Sequence, residues 1–223
     1  NENQQRVVNT VCSDLDAGIH KTYLLRGVTG SGKTEVYMEL IAHTVAQGRQ
    51  AIVLIPEIAL TYQTVMRFYN RFGDRVSIMN SKLSQGERFD QFERAKAGDI
   101  DIMIGPRSAL FTPFPHLGLI IIDEEHETSY KSETAPRYHA RDVAIERARM
   151  NDASVLLGSA TPSVDSYYQA MQGKYQLLTL SERVEKKPLP DCEVVDLRSE
   201  LRAGNRSIFS ERLQELMEDR LKK

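Results

Sequence analysis

Apolar residues along this chain gather in short continuous runs rather than in strict alternation. Residues 22–25 (TYLL), 51–55 (AIVLI), 76–79 (VSIM), 102–104 (IMI), 117–122 (LGLIII) and 154–157 (SVLL) are such runs. A strand apolar on both sides is buried on both faces, as in a parallel sheet covered by helices. Between the runs the period changes. Val36, Leu40, Ile41 and Val45 recur at helical spacing, and PEIALT at 56–61 leads into a helix that runs through about Phe72. Ser84 with Glu87 forms a capping box for a helix that carries Phe89 and Phe92 inward, and residues 141–150 read as another helix. Strands alternating with helices predict an α/β fold with a mostly parallel sheet and helices on both faces.

Beyond Tyr175 the pattern loosens. Residues 176–180 and 193–197 look like strands, separated by a charged, proline-containing connector over 183–190. A final helix over 210–223 carries Leu213, Leu216, Met217 and Leu221 on one stripe, which calls for a partner surface. The chain starts without Met and stops inside that helix, so it reads as a piece of something longer. The division expected is a main lobe over 1–170, with 171–223 as its end and a linker.

Two stretches carry chemistry. Gly27-Val28-Thr29-Gly30-Ser31-Gly32-Lys33-Thr34 fits the phosphate-loop pattern GxxxxGK[ST] between a strand and a helix. A triphosphate needs several donors at once, and glycines let successive backbone N–H groups close around the anion. Lys33 is placed for the β- and γ-phosphates, and the Thr34 hydroxyl for Mg²⁺; Glu35 follows directly. Purine triphosphate, ATP by expectation, is the ligand. The second stretch is the apolar run 117–122, which ends abruptly in Asp123-Glu124-Glu125-His126. Adjacent anions at the end of a buried strand are costly without a cation, which a magnesium triphosphate supplies. Asp123 is then the magnesium residue, Glu124 polarises the attacking water, and His126 links that acid to bound nucleic acid.

Weaker signals surround these two. Gln4 stands upstream of the phosphate loop, either as a reader of the adenine edge or as a solvated glutamine. Arg107 and Ser108, in GPRSALF, suit a backbone phosphate, although a surface arginine is more often solvated. From 127 to 139, Tyr130, Lys131, Arg137, Tyr138 and His139 interleave aromatics with bases, as stacking on unpaired bases requires; a plain connecting loop has the same composition. Ser159 and Thr161 lie in GSATP, where Thr161 caps the next helix with Pro162 at its first position.

Composition narrows the class without deciding it. Of 223 residues, 41% are hydrophobic and 27% charged, enough for a full core. The net charge of -2 gives no global field for nucleic acid, so any such contact is local. Two cysteines, Cys12 and Cys192, form neither a disulfide framework nor a zinc motif, and no run is long enough for a bilayer. A cytoplasmic protein without a membrane partner is expected.

In this order, GVTGSGKT, IPEIALT, GPRSALFTP, DEEH and GSATP resemble motifs I, Ia, Ib, II and III of a superfamily two helicase. GVTGSGKTEVY, IDEEH with Ser129-Tyr130-Lys131, and RYHARD at 137–142 are more specific, and resemble the primosomal replication-restart helicases. The resemblance covers most of the chain and loosens after Val164. It implies a RecA-like P-loop lobe of a bacterial 3′-to-5′ DNA helicase that acts at stalled forks. Its partners would be single-stranded and forked DNA, primosome proteins and single-strand-binding proteins. It also implies an aromatic-rich loop after DEEH. Some members carry a tryptophan there; this chain has none, so stacking falls to Tyr130 or Tyr138. The family's second motor lobe, zinc-binding cysteines and fork-binding domain are absent from this sequence. Zinc therefore belongs to parts outside it, and the lobe alone should bind nucleotide weakly and turn over poorly.

Overall fold

The apolar runs are strands of one sheet. The computed structural model, which describes residues 1–183 and 191–222, contains β1 (Thr22–Gly27), β2 (Gln50–Leu54), β3 (Val76–Ile78), β4 (Ile102–Gly105), β5 (Leu117–Asp123), β6 (Ser154–Ser159) and β7 (Gln176–Leu180). Their order is β3-β4-β2-β5-β6-β1-β7, and every pairing is parallel. Parallel neighbours need crossovers, and helices supply them. These are α2 (Lys33–Ala46), α3 (Tyr62–Phe72), α4 (Gln85–Ala97), α5 (Ala140–Met150) and α6 (Val164–Met171), preceded by α1 (Glu2–Asp16).

Each strand face has its own core. On one face Tyr23, Leu25, Val53, Leu119 and Ile121 pack against Val7 and Val11 of α1, Val36, Leu40 and Ile41 of α2, and Phe68 of α3. On the other, Leu24, Ile52, Ile120, Ile122 and Leu157 pack against Ala95 of α4, Ala144 and Ala148 of α5, and Leu110 and Tyr130 from connecting turns. Alternate residues of one strand thus serve two cores, which is why the runs are continuous. α1 was hidden in a polar start, yet Val7, Val11 and Leu15 are buried one turn apart on its inner side.

Several expectations need correction. Ser84 and Glu87 do form the capping box of α4, but Phe89 is 63% exposed; Phe92 alone of the pair packs inward. Ser163, not Thr161, caps α6, its hydroxyl accepting from Ser166 N. Residues 193–196 form no strand, and Leu197 opens a short helix, α7 (Leu197–Ala203). Of the connector expected over 183–190, residues 184–190 lie outside the described residues.

The chain divides into two units, Asn1–Lys186 and Lys187–Lys223. The first holds the whole sheet, including β7, which pairs with β1 and lies past residue 170. The second contains α7 and α8 (Glu211–Leu221), joined through Glu200, whose carboxylate accepts from Asn205 Nδ2 at 2.8 Å and Glu211 N at 3.1 Å. The α8 stripe of Leu213, Leu216 and Met217 remains exposed. Among the described residues no helix is long and apolar enough to cross a membrane.

Candidate active site

The carboxyl ends of β4, β2, β5, β6 and β1 lie side by side, and each runs into one of the sequence motifs. In an open α/β sheet that edge is where ligands gather. Gly27 ends β1, and a Cβ there would sit 2.6 Å from Ser31 Oγ and 3.0 Å from Lys33 Cγ, so the loop can fold back over it only because it is glycine. Gly30 and Gly32 take positive φ of 80° and 82°. Gly32 then opens α2 without any side-chain cap, leaving the helix's first N–H groups and its positive end to an anion. The Ser31 hydroxyl is buried without a hydrogen-bond partner. Lys33 Nζ donates to Gly27 O at 3.2 Å and stands 3.5 Å from Glu124 Oε1.

Flanking residues brace this loop. The Gln4 side-chain amide donates to Ser31 O at 3.0 Å and Gly32 O at 3.4 Å, so its N–H groups grip the loop backbone. Thr29 is exposed at the loop tip and Thr34 is half-buried in the first turn of α2. Glu35 is drawn outward, its carboxylate paired with Arg67 of α3 at 2.6 Å.

Asp123 is held from both sides of the sheet. Tyr37, fully buried on α2, donates its hydroxyl to Asp123 Oδ1 at 2.8 Å. Tyr130, on the opposite face, donates to the Asp123 carbonyl at 2.7 Å and to the Leu54 carbonyl at 3.1 Å. Tyr130 is 1% exposed, which overturns its expected role in base stacking: its ring completes a core and its hydroxyl satisfies two strand-end carbonyls. Burial pushes the Asp123 carboxyl above its usual range; the Tyr37 hydrogen bond and Lys33 oppose this, while Glu124 adds to it.

The next two acids part company. Glu124 turns through a positive φ of 47° into the loop, where its carboxylate lies between Lys33 and His126 Nδ1, the latter 3.7 Å away. His126 Nδ1 is 2.8 Å from Ser159 Oγ, and Thr161 N donates to the same oxygen at 2.9 Å. This joins the acidic turn to the end of β6. Glu125 points the other way and is 1% exposed. Its carboxylate accepts from Ser163 N at 2.7 Å, Ser163 Oγ at 3.1 Å and Ser166 Oγ at 2.7 Å, with Arg141 3.9 Å away. Sequence reading missed this cluster, and Tyr37 as well.

Farther along the edge, a cleft of about 350 Å³ is lined by Pro56, Glu57, Arg107, Ser108, Ser129 and Tyr138, among others. The Arg107 guanidinium lies 5.4 Å from the centroid of the Tyr138 ring and donates to Ser129 O at 3.3 Å, while Phe111 meets Tyr138 edge-on at 5.5 Å. The loop after DEEH closes on itself through a Lys131–His139 bridge and a Ser132 N to Tyr138 O bond of 2.8 Å. Arg137 is exposed on its outside.

Comparison with known proteins fits this arrangement. The family profile described as DEAD/DEAH box helicase matches residues 1–170. The chain belongs to this helicase family. It is 49% identical over 222 residues to the replication restart protein PriA of Bacillus subtilis, covering all of this chain and 28% of the relative. It is 45% identical over 223 residues to the Chlamydia trachomatis protein of the same name, covering 30% of it. The chain therefore spans about three-tenths of the length of these relatives. Among solved structures it resembles RecG bound to a three-way DNA junction, with a TM-score of 0.61 and 24% identity over 84% of this chain and 24% of that one. It also resembles the Hef helicase domain of Pyrococcus furiosus, with a TM-score of 0.55 and 17% identity over 81% of this chain and 38% of that one. Both likenesses place the fold, a RecA-like helicase lobe.

Proposed function

We propose that this chain is the ATP-binding lobe of a DNA helicase that acts in replication restart. The observation that carries the reading is the meeting of Lys33 and Glu124 at 3.5 Å, which brings the phosphate loop and the acidic motif into one site. The residues fit magnesium–ATP: an uncapped helix N-terminus and an unpartnered Ser31 hydroxyl lie at the phosphate loop, and the half-buried Asp123 carboxylate ends the strand beside it. Thr34 and Asp123 would hold Mg²⁺, which neutralises phosphate charge when bound. Lys33 would exchange its Gly27 carbonyl for phosphate oxygens, while the backbone N–H groups at the uncapped start of α2 would orient them. Glu124 accepts a proton from the attacking water, and His126 passes its position on to Ser159 and Thr161.

DNA is the proposed second ligand, single-stranded or at forks. Arg107, Ser108 and Tyr138 offer phosphate and base contacts at the cleft, with Arg137 exposed on the adjoining loop; primosome and single-strand-binding partners belong to this reading through the resemblance to replication-restart helicases. Residues 171–223 complete the lobe with β7 and continue as a linker toward a second motor lobe. Zinc, if present, belongs to parts outside this sequence. Measuring affinity for an ATP analogue with Lys33→Ala tests the site. We expect a loss of about 2 to 4 kcal/mol, as for other buried charge contacts. Unchanged affinity by calorimetry refutes it.

A further inference from the structure

We propose that Tyr37 is a positioning residue: its phenol sets the orientation in which the Asp123 carboxylate meets the metal of a bound nucleotide. The inference rests on the reading of this edge as a magnesium–nucleotide site. Tyr37 stands one helical turn below Lys33 on α2, so one rigid element presents both the cation for the phosphates and the donor for the acid.

Two observations separate this role from simple packing. The hydroxyl is fully buried and its one hydrogen bond, 2.8 Å to Asp123 Oδ1, is side chain to side chain. A phenylalanine would fill nearly the same volume without the cost of burying a hydroxyl. The neighbouring strand is also cut away for that oxygen. Gly158 pairs with Asp123 across β5 and β6, and a Cβ there would lie 1.8 Å from the Tyr37 oxygen. Any larger residue at 158 would expel the hydroxyl.

The test titrates Mg²⁺ against binding of a fluorescent, non-hydrolysable ATP analogue to this 223-residue chain. Tyr37→Phe should raise the Mg²⁺ concentration at half-saturation about tenfold, as for loss of other groups that orient a metal ligand. Its affinity for the analogue in EDTA should match wild type. Gly158→Ala, which retains the phenol but takes its oxygen's place, should shift the Mg²⁺ curve in the same direction. An unshifted curve for Tyr37→Phe overturns the proposal, and a lowered melting temperature beside it would assign Tyr37 to packing alone. If wild type binds the analogue no better with Mg²⁺ than in EDTA, the site reading fails and this role with it, an outcome visible before any variant is made.

Discussion

Glu124 and Glu125 are neighbours of one residue type, and the structure gives them opposite work, so exchanging each for glutamine or alanine should produce opposite phenotypes. Glu125 accepts three hydrogen bonds in a fully buried site and faces Arg141. Removing a buried acceptor strands its donors, and truncating one member of a buried charged cluster costs about 3 to 5 kcal/mol. For a protein of this size that is a fall of roughly 10 °C in melting temperature. Glu125→Gln keeps a carbonyl for one or two of those donors and should lose about half as much. Glu124, a third exposed at its side chain, should behave otherwise. Glu124→Gln should leave the melting temperature within a degree or two, retain magnesium–ATP binding, and cut hydrolysis in the full-length protein by about a hundredfold or more. Differential scanning fluorimetry and steady-state ATPase assays read the two effects separately. A Glu125→Ala protein as stable as wild type, or a Glu124→Gln protein with near-normal turnover, would refute the division.

Two further outcomes follow from the loop and its flanks. Tyr138→Ala removes the ring beneath Arg107 and beside Phe111, and should lower DNA-stimulated hydrolysis in the full-length protein about tenfold, the worth of one stacked base, while basal hydrolysis holds; a melting shift with the stimulation ratio intact would reduce Tyr138 to scaffolding. His139 caps α5 by accepting from Arg141 N at 3.2 Å, and burial, then Arg141, holds its pKa below the ordinary 6.5. The unfolded chain therefore takes the proton more readily, so the stabilisation is complete above about pH 6.5 and drains away as pH falls toward the lowered value. His20, lowered chiefly by burial, acts in the same direction, so His139→Gln should flatten only part of the melting-temperature slope between about pH 7.5 and 5.5, and an unchanged slope would contradict the cap.

What could be read in the sequence was what depends on neighbours along the chain. The phosphate loop needs glycines at fixed offsets, and the acidic turn needs only an apolar strand that stops; both are local, and both lie where the motifs place them on the sheet edge. What could not be read depends on facing direction. Phe89 and Phe92 sit one turn apart on a helix whose start was read correctly, and the tertiary packing of α4, invisible in its own residues, exposes the first. Residues 193–197 show a period too short to tell strand from irregular chain. Tyr130 and Tyr138 share one polar loop and one composition and both border the cleft, yet the first is buried with its ring in the core and the second is half-buried against Arg107 and Phe111.

That last pair shows how the two halves of the edge are joined. Tyr130 lies within the segment after DEEH, and its single hydroxyl bonds the carbonyls that end β2 and β5. Tyr138 lies at the other end of the same closed loop, against Arg107 from the turn after β4. Neighbouring strands are about 4.8 Å apart, so from β4 to β1 the edge spans roughly 19 Å, too far for a DNA contact at Arg107 to touch the phosphate loop directly. The loop crosses part of that distance with both ends tied, one to the cleft and one to the Asp123 backbone. Asp123 is in turn tied by Tyr37 to the helix that carries Lys33. Displacing Tyr138 while the Tyr130 bonds persist strains the loop between fixed ends. Displacing both requires breaking the buried hydrogen bond that the Tyr130 proton shares between two carbonyls, at about 1 kcal/mol, within reach of the roughly 1 to 3 kcal/mol that one stacked base supplies.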